Sequence, residues 1–262
     1  MPAITPFVKR LMVANVIIFF LMAFMSPTGA SMDTLVRWMG VTPNMWLIEA
    51  PFLPVWQLLS YGFMHDTAGL QHLLFNMLGL FFFGTMVERA VGSKCFGIAY
   101  FGAMFAGGLA HVVAGWFGNG AIPALGASGA VLGVLLMAAV LQPNARVIFI
   151  IFPMTLKTLV MIVVGMDVFA LFVAFRDGGN DGVAHWVHLG GAAFGFFWAR
   201  QGLIHVDWSE RFARKRQVVH QEREQDEVLH MDELLIKIQK KGITSLTDKE
   251  RAFLKKMSER RK

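Results

Sequence analysis

The chain has very little cysteine: Cys95 is the single one among 262 residues. One cysteine cannot form an internal disulfide, and it provides none of the cysteine spacings that are typical of zinc sites or redox motifs. We therefore expect a fold without covalent cross-links, and we expect neither a metal nor another cofactor.

Charge is also scarce. Only 16% of the residues are charged whereas 55% are hydrophobic, and the mean hydropathy is +0.53. Most of the charge lies after residue 200, so the preceding part is more apolar still and too apolar for an ordinary soluble domain. This composition predicts a multi-pass membrane protein with a polar tail. We attribute the isoelectric point near 9.7 to this topology and not to nucleic-acid binding. An internal repeat, which would favour a small transporter, is not found.

Six apolar segments approach the roughly 20 residues that a helix needs to cross a bilayer. The predicted spans are 8–25, 69–87, 95–117, 127–142, 158–175 and 184–202. We interpret the first as a retained span, because residues 26–29 make a poor signal-peptide cleavage site and further spans follow. The expected fold is an all-α bundle of six transmembrane helices.

Charges outside these spans predict the orientation. One predicted face carries basic residues: Lys9, Arg10, Arg89, Lys94, Arg146, Lys157 and those of the tail. The opposite face carries mainly acidic residues: Asp33, Glu49, Asp66, Asp177 and Asp181. By the positive-inside rule we expect both termini to be cytoplasmic.

The segment 26–68 is too long for a simple turn. It contains four prolines and three tryptophans, Trp38, Trp46 and Trp56. Tryptophan is enriched where a membrane meets water. We therefore expect a membrane-associated first loop, partly embedded at the outer boundary, with its Trp rings at headgroup depth.

The fourth predicted span is unusually short. Its 16 residues, 127–142, correspond to about 24 Å of helix, less than the hydrocarbon thickness. Arg146 and Pro143 fix its cytoplasmic end, so its other end should stop below the outer surface. We expect Ser128, on the first turn of this helix, to lie at the floor of a cavity.

Other polar residues lie inside predicted spans, where they are candidates for function. His72 and Asn76 are four residues apart in the second span and share a helical face. His185 and His188 begin the sixth span, and Asp167 lies midway along the fifth without a partner that the sequence identifies.

Glycine spacing predicts which of these residues meet. Gly129 and Gly133 form a small face on the fourth span, and Gly191 and Gly195 continue a stripe that starts at His188. Small residues on facing helices allow close approach in membranes. This contact would bring His188 to the same end of the bundle as Ser128.

A serine next to an imidazole base can act as a nucleophile. His188 is the expected base, and helix-start N–H groups with His72 and Asn76 could stabilise developing negative charge. Because no acidic residue is evident as a third member, we predict a Ser–His dyad. The alternatives are a serine that caps its helix, interhelical hydrogen bonding by His72 and Asn76, and His185 as the base. If His185 is not the base, we expect it to be a water-exposed residue at the helix end.

In combination these motifs resemble the rhomboid family of intramembrane serine proteases over residues 8–202. The resemblance rests on G-x-S-G at 126–129, H-x-x-x-N at 72–76, H-x-x-G-x-x-x-G at 188–195, WQLLSYGFMH at 56–65 and E-x-x-x-G at 88–92. Two positions depart from the family pattern. Gln57 follows Trp56 where an arginine is usual, and Leu132 stands where some members have an aromatic residue.

The resemblance implies a nucleophile at Ser128, a general base at His188 and an oxyanion hole formed by His72, Asn76 and the Ser128 amide. Gly126 would stay small to keep its loop near the scissile carbonyl. Substrates would be transmembrane proteins, cut through an acyl-enzyme and admitted between the second and fifth spans. The alternative is a non-catalytic rhomboid-like protein that binds membrane clients.

The residues after the last span change in character, so we divide the chain into a membrane domain, 1–202, and a polar cytoplasmic tail, 203–262. In the tail, apolar residues at helical spacing precede Gly242, a predicted helix stop, and a second helix is predicted to start at Thr247. Whether the tail binds an unknown partner, the anionic membrane surface or nothing is left open.

Overall fold

The computed structural model describes residues 3–25, 29–50, 52–117, 120–149, 152–177, 183–205 and 230–240, together with 242, 245–247, 250–251, 253–254 and 257. These residues form two compact units, Met1–His205 and Val206–Lys262. Asp181 and residues 206–229 of the predicted tail lie outside the described residues.

The first unit is a helical bundle, which confirms the predicted fold class. Its helices are α1 (Pro6–Met25), α2 (Gly29–Met39), α3 (Pro43–Ile48), α4 (Gln57–Ser60), α5 (Gln71–Gly79), α6 (Thr85–Val91), α7 (Ser93–Trp116), α8 (Ser128–Leu141), α9 (Leu156–Asp177) and α10 (His185–His205). A 3-10 turn, Tyr61–Phe63, follows α4, and a π-helical turn, Leu80–Gly84, joins α5 to α6.

Among the described residues, four helices are long and apolar enough to cross a membrane: Pro6–Met25, Gln71–Val91, Ser93–Trp116 and Leu156–Asp177. Helix α8 has 14 residues, about 21 Å at the usual rise, so the short fourth segment is confirmed. Helix α10 coincides with the sixth predicted segment. The total of six membrane crossings stays a prediction.

A β-hairpin between α8 and α9 was not predicted. Strands β1 (Arg146–Phe149) and β2 (Phe152–Thr155) pair antiparallel, with Phe149 opposite Phe152. The segment contains β-branched and aromatic residues that favour strands. The predicted all-α bundle did not include these two strands.

A buried carboxylate anchors α1 to the second long helix. The Phe7 and Val8 N–H groups donate to the Glu88 carboxylate at 3.0 and 2.9 Å, and the Ser93 hydroxyl donates to it at 2.5 Å. The first N–H groups of a helix have no partner within that helix. Glu88 supplies two of them with acceptors and so fixes the start of α1.

Gln57 organises the first loop. Its fully buried side chain accepts hydrogen bonds from Thr42 N–H (3.3 Å) and Trp46 Nε1–H (3.2 Å), and it donates to the Arg37 carbonyl at 3.0 Å. Glutamine offers both a carbonyl and an amide group. It therefore connects three parts of the loop.

The three loop tryptophans differ in exposure. Trp38 and Trp56 stack with ring centroids 6.2 Å apart and are about half exposed, as an interfacial position requires. Trp46 is instead buried beside Gln57. Its indole N–H donates to the buried amide oxygen of Gln57, whereas the expected headgroup depth of the three rings stays a prediction.

Helices α8 and α10 touch through their backbones. A Cβ atom on Gly191 would meet the Gly129 carbonyl oxygen, and one on Gly195 would meet the Gly133 carbonyl oxygen. A Cβ on Gly133 would lie 2.7 Å from the Gly191 carbonyl oxygen. The contact predicted from glycine spacing is confirmed, and it leaves no room for larger side chains.

The second unit contains a helix at 230–240 that ends before Gly242, whose φ is +78°. A second helical start follows, where Thr247 and Glu250 exchange hydrogen bonds as a capping box: Thr247 N–H donates to Glu250 Oε2 at 2.8 Å. The predicted stop and start are confirmed. A hydrogen bond from Lys237 lowers the pKa of the Glu250 carboxyl to about 2.

Replacing Gly195 with alanine should separate α8 from α10, because the new Cβ would collide with backbone that cannot rotate away. We expect Gly195→Ala to lower the free energy of unfolding by about 1–3 kcal/mol, measured by thermal denaturation in detergent. Gly165→Ala is the matched control, since a Cβ at Gly165 meets nothing within 4 Å. Equal stability of the two variants would contradict the backbone contact.

Candidate active site

Ser128 and His188 form a direct hydrogen bond. Ser128 is the first residue of α8, and its Oγ lies 2.7 Å from His188 Nε2. The serine side chain is therefore directed at the imidazole and does not cap its own helix, which was the alternative interpretation. Ser128 is partly exposed between the buried Ala127 and Gly129, so the hydroxyl remains reachable.

The backbone contact between α8 and α10 places this pair. A Cβ on Gly129 would lie 2.8 Å from the Val187 carbonyl oxygen, so the first turns of the two helices are in contact. Ser128 precedes Gly129 and His188 follows Val187. The two side chains therefore extend from adjacent points of two closely packed backbones.

Asp167 of α9 lies behind the imidazole. Its Oδ1 is 2.9 Å from Nδ1 of His188 and 2.5 Å from Nδ1 of His185, and the side chain is 8% exposed. Because a carboxylate only accepts, we assign the proton of each imidazole to Nδ1. Nε2 of His188 is then free to accept the Ser128 hydroxyl proton.

This carboxylate was missed from the sequence. Asp167 had no identified partner there, and an acidic third member was not expected; the structure places it on the histidine pair. An acidic residue within an apolar helix was a signal that a partner exists. The sequence does not reveal which way α9 rotates, so it could not identify that partner.

The expectation for His185 was also wrong. Its side chain is only 10% exposed, not water-exposed, because its Nδ1 bonds to the buried carboxylate. His188, and not His185, contacts the Ser128 hydroxyl.

His72 is brought to the loop before Ser128. A Cβ on Gly126 would lie 2.5 Å from His72 Nε2, and Gly126 has a φ of +110°, which favours glycine. The Gly126 N–H donates to the Tyr61 carbonyl at 2.9 Å. Asn76 is buried, and its side-chain amide donates to the His72 carbonyl at 2.8 Å. Gly126 thus packs directly against a candidate oxyanion donor.

His65 supports His72 from the loop that precedes α5. It is fully buried, and its ring centroid lies 5.0 Å from that of His72. Burial and, to a smaller extent, the neighbouring His72 lower the pKa of His65 to about 4. A neutral ring is therefore packed against the candidate donor.

Within the described part of the chain, one group has the composition of a metal site. Asp167, His185 and His188 place their ligand atoms within 4.8 Å of one another. Both imidazole Nδ1 atoms already have the carboxylate as a hydrogen-bond partner. The arrangement is complete as a hydrogen-bonded cluster.

A family model described as the Rhomboid domain matches residues 53–203, which is more than half of the chain. The chain belongs to the rhomboid family. A second model, a family of unknown function (DUF6576), matches residues 217–260. The rhomboid match includes Ser128, His188 and Asp167, whereas the second model matches residues within the tail.

Several curated relatives are similar to this chain. Rhomboid protease GluP of Bacillus subtilis is 30% identical over 193 residues, which is 73% of this chain and 34% of the relative. RHOMBOID-like protein 12, mitochondrial, of Arabidopsis thaliana is 30% identical over 159 residues, 55% of this chain and 45% of the relative. The human presenilin-associated rhomboid-like protein, mitochondrial, is 28% identical over 202 residues, which is 74% of this chain and 48% of the relative. The chain spans between a third and a half of the length of these relatives.

Alanine at position 126 should displace His72, because its Cβ would collide with the ring and its positive φ would be strained. We expect Gly126→Ala to slow labelling of Ser128 by a serine-reactive fluorophosphonate about 100-fold, as misplacement of a reacting group by about 1 Å can do. Labelling rates per folded molecule provide the measurement.

Gly92→Ala is the matched control for that experiment. Gly92 has a φ of +82°, but a Cβ there meets nothing within 4 Å. Both variants therefore strain the backbone, but only Gly126→Ala also collides with His72. Equal loss of labelling in both would contradict the assigned role of Gly126.

Proposed function

We propose that this rhomboid-family protein is an intramembrane serine endopeptidase with Ser128 as nucleophile and His188 as general base. The 2.7 Å contact between Ser128 Oγ and His188 Nε2 carries the proposal, because a serine hydroxyl becomes a nucleophile when a base can take its proton. The candidate oxyanion donor His72, which lies beside Gly126, adds a second element of the same chemistry.

The reaction would use these groups in turn. His188 Nε2 takes the Ser128 proton while Oγ attacks the carbonyl carbon of the scissile peptide bond. The resulting imidazolium donates that proton to the leaving amine, and an acyl-enzyme remains. Water then loses a proton to His188 and attacks the ester, which releases the acid product and restores the serine.

Negative charge on the former carbonyl oxygen needs donors in the transition state. The Ser128 amide lies in the first turn of α8, where N–H groups lack intrahelical partners. His72, positioned against Gly126, and Asn76, one turn further along α5, are the side-chain donors that we assign to the oxyanion hole.

The substrates that we propose are transmembrane protein segments, cut in or near the membrane at small residues. Support comes from the loose packing of α9: 11% of its most apolar 18-residue window is buried, against 56% for α7. A helix held by few contacts can move aside at low cost. We therefore place the substrate entrance between α9 and the second long helix, which contains the π-helical turn.

We also propose a bacterial inner membrane as the location, with both termini in the cytoplasm. The basic residues at the start of α1, between α6 and α7 and around the β-hairpin support this orientation. Partners beyond substrates and the lipid bilayer are not required by the proposed reaction, and we do not assign nucleic acid as one. The tail is the segment that could bind a further partner.

The function is tested by labelling membranes with a fluorophosphonate probe. We expect the native chain to be labelled and Ser128→Ala and His188→Ala to lose at least about 99% of the label, since nucleophile and base act as a unit. Ser60→Ala is a matched control, because the Ser60 hydroxyl bonds to the Met39 carbonyl in the first loop.

Cleavage of a transmembrane substrate in the same membranes completes the test. Labelling of Ser128→Ala at the native level would refute the nucleophile assignment. A native chain that binds transmembrane segments but neither reacts with the probe nor cuts them would instead be a non-catalytic rhomboid-like protein.

A further inference from the structure

We propose that Asp167 is a positioning residue that holds His188 in the tautomer able to accept the Ser128 proton. This inference rests on the proposed function and extends the predicted pair to three residues on three helices. Asp167 lies on α9, His188 on α10 and Ser128 on α8.

Two hydrogen bonds link Asp167 through His188 to Ser128. Asp167 Oδ1 is 2.9 Å from His188 Nδ1, and His188 Nε2 is 2.7 Å from Ser128 Oγ. Both lie in the range of good hydrogen bonds. An imidazole whose Nδ1–H donates to a carboxylate has a lone pair at Nε2, which is the atom directed at the serine.

His185 explains how the carboxylate stays in place. Its Nδ1 is 2.5 Å from the same Oδ1 atom, so two N–H donors converge on one oxygen. Asp167 and His185 side chains are 8% and 10% exposed, whereas that of His188 is 19% exposed. The negative charge of the Asp167 carboxylate is thus compensated on the buried side of the site, and the His188 imidazole remains partly exposed.

The position of Asp167 on α9 has a mechanical consequence. Helix α9 packs against α8 and α10 but is little buried over its apolar length. If α9 moves aside to admit a substrate, the carboxylate leaves His188. The base is then correctly oriented only when α9 is seated on α10.

A purely structural role for Asp167, tying α9 to α10, makes a different prediction for two variants. Asparagine can still bond to both imidazoles, so Asp167→Asn would preserve such a tie better than Asp167→Ala. If Asp167 instead controls the tautomer, Asp167→Asn should be more damaging than Asp167→Ala. The asparagine amide can donate to His188 Nδ1, which places the imidazole proton on Nε2 and blocks proton transfer from Ser128.

The test measures the fluorophosphonate labelling rate against pH in full-length protein, together with the thermal unfolding midpoint. We expect Asp167→Asn to label up to about 10,000-fold more slowly than the native chain, the loss that the wrong histidine tautomer causes in the Ser-His-Asp template. Asp167→Ala should lose less activity than Asp167→Asn. Asp177→Asn, also on α9 but exposed and paired with Arg176, should label at the native rate.

The pH profile separates positioning from structure. Among the described residues, the titratable groups facing His188 are Asp167 from α9, His185 from α10 and His72 from α5. Loss of the carboxylate removes the counter-charge of the imidazolium, so the acidic limb should move to lower pH in Asp167→Asn and Asp167→Ala. Asp167→Glu keeps the charge and should therefore retain the acidic limb of the native pH profile. This variant provides the test if the other two variants unfold.

The outcomes are distinguishable. Label on Ser128→Ala at the native level overturns the proposed function and this inference with it. The inference alone is overturned if the native chain is labelled, Ser128→Ala is not, and Asp167→Asn keeps the native rate and pH profile. It is also overturned if the pH profile of Asp167→Glu is shifted like that of Asp167→Ala. Loss of native labelling on chelation, restored by Zn²⁺, would show instead that the three residues hold a metal.

Discussion

The site depends on one constraint: the backbones of α8 and α10 are in direct contact. The four glycines at 129, 133, 191 and 195 leave no space for side chains between the two helices. In a bilayer, where lipid is as apolar as a leucine side chain, such close packing is a main source of helix association. The contact fixes the relative depth of the two helices, and thereby sets the 2.7 Å distance between the serine and histidine side chains. A shift of one turn, about 5.4 Å, would separate them.

Three buried polar side chains of this bundle each have several hydrogen-bond partners. Glu88 caps the start of α1, Gln57 joins three parts of the first loop, and Asp167 accepts from two imidazoles. An unpaired polar group is costly in an apolar interior, which explains why each has several partners. Glu88 and Gln57 hold the scaffold, whereas Asp167 contacts the candidate base. The same rule of polar satisfaction thus serves the stability of the bundle and, by our inference, the orientation of His188.

The sequence was sufficient for features that depend on local spacing. Glycine intervals predicted the contact of α8 with α10, the short fourth segment predicted that Ser128 starts a helix, and Thr247 and Gly242 marked the helix ends of the tail. Features that depend on how a helix is rotated in the bundle were not predictable in this way. Asp167 had no identified partner and His185 was expected in water, because the rotation of α9 against α10 is a tertiary property. The hairpin after α8 was missed since its two short strands are stabilised mainly by each other.

The central claim is that Ser128 is chemically distinct from the other serines because His188 accepts its proton. The most direct measurement is peptide mapping by mass spectrometry after the full-length protein in membranes has reacted with a fluorophosphonate. The account predicts a single phosphonyl adduct, on the peptide that contains Ser128, and none on that peptide after His188→Ala. Modification of other serines to the same extent, or an unmodified Ser128 peptide in folded native protein, would contradict it.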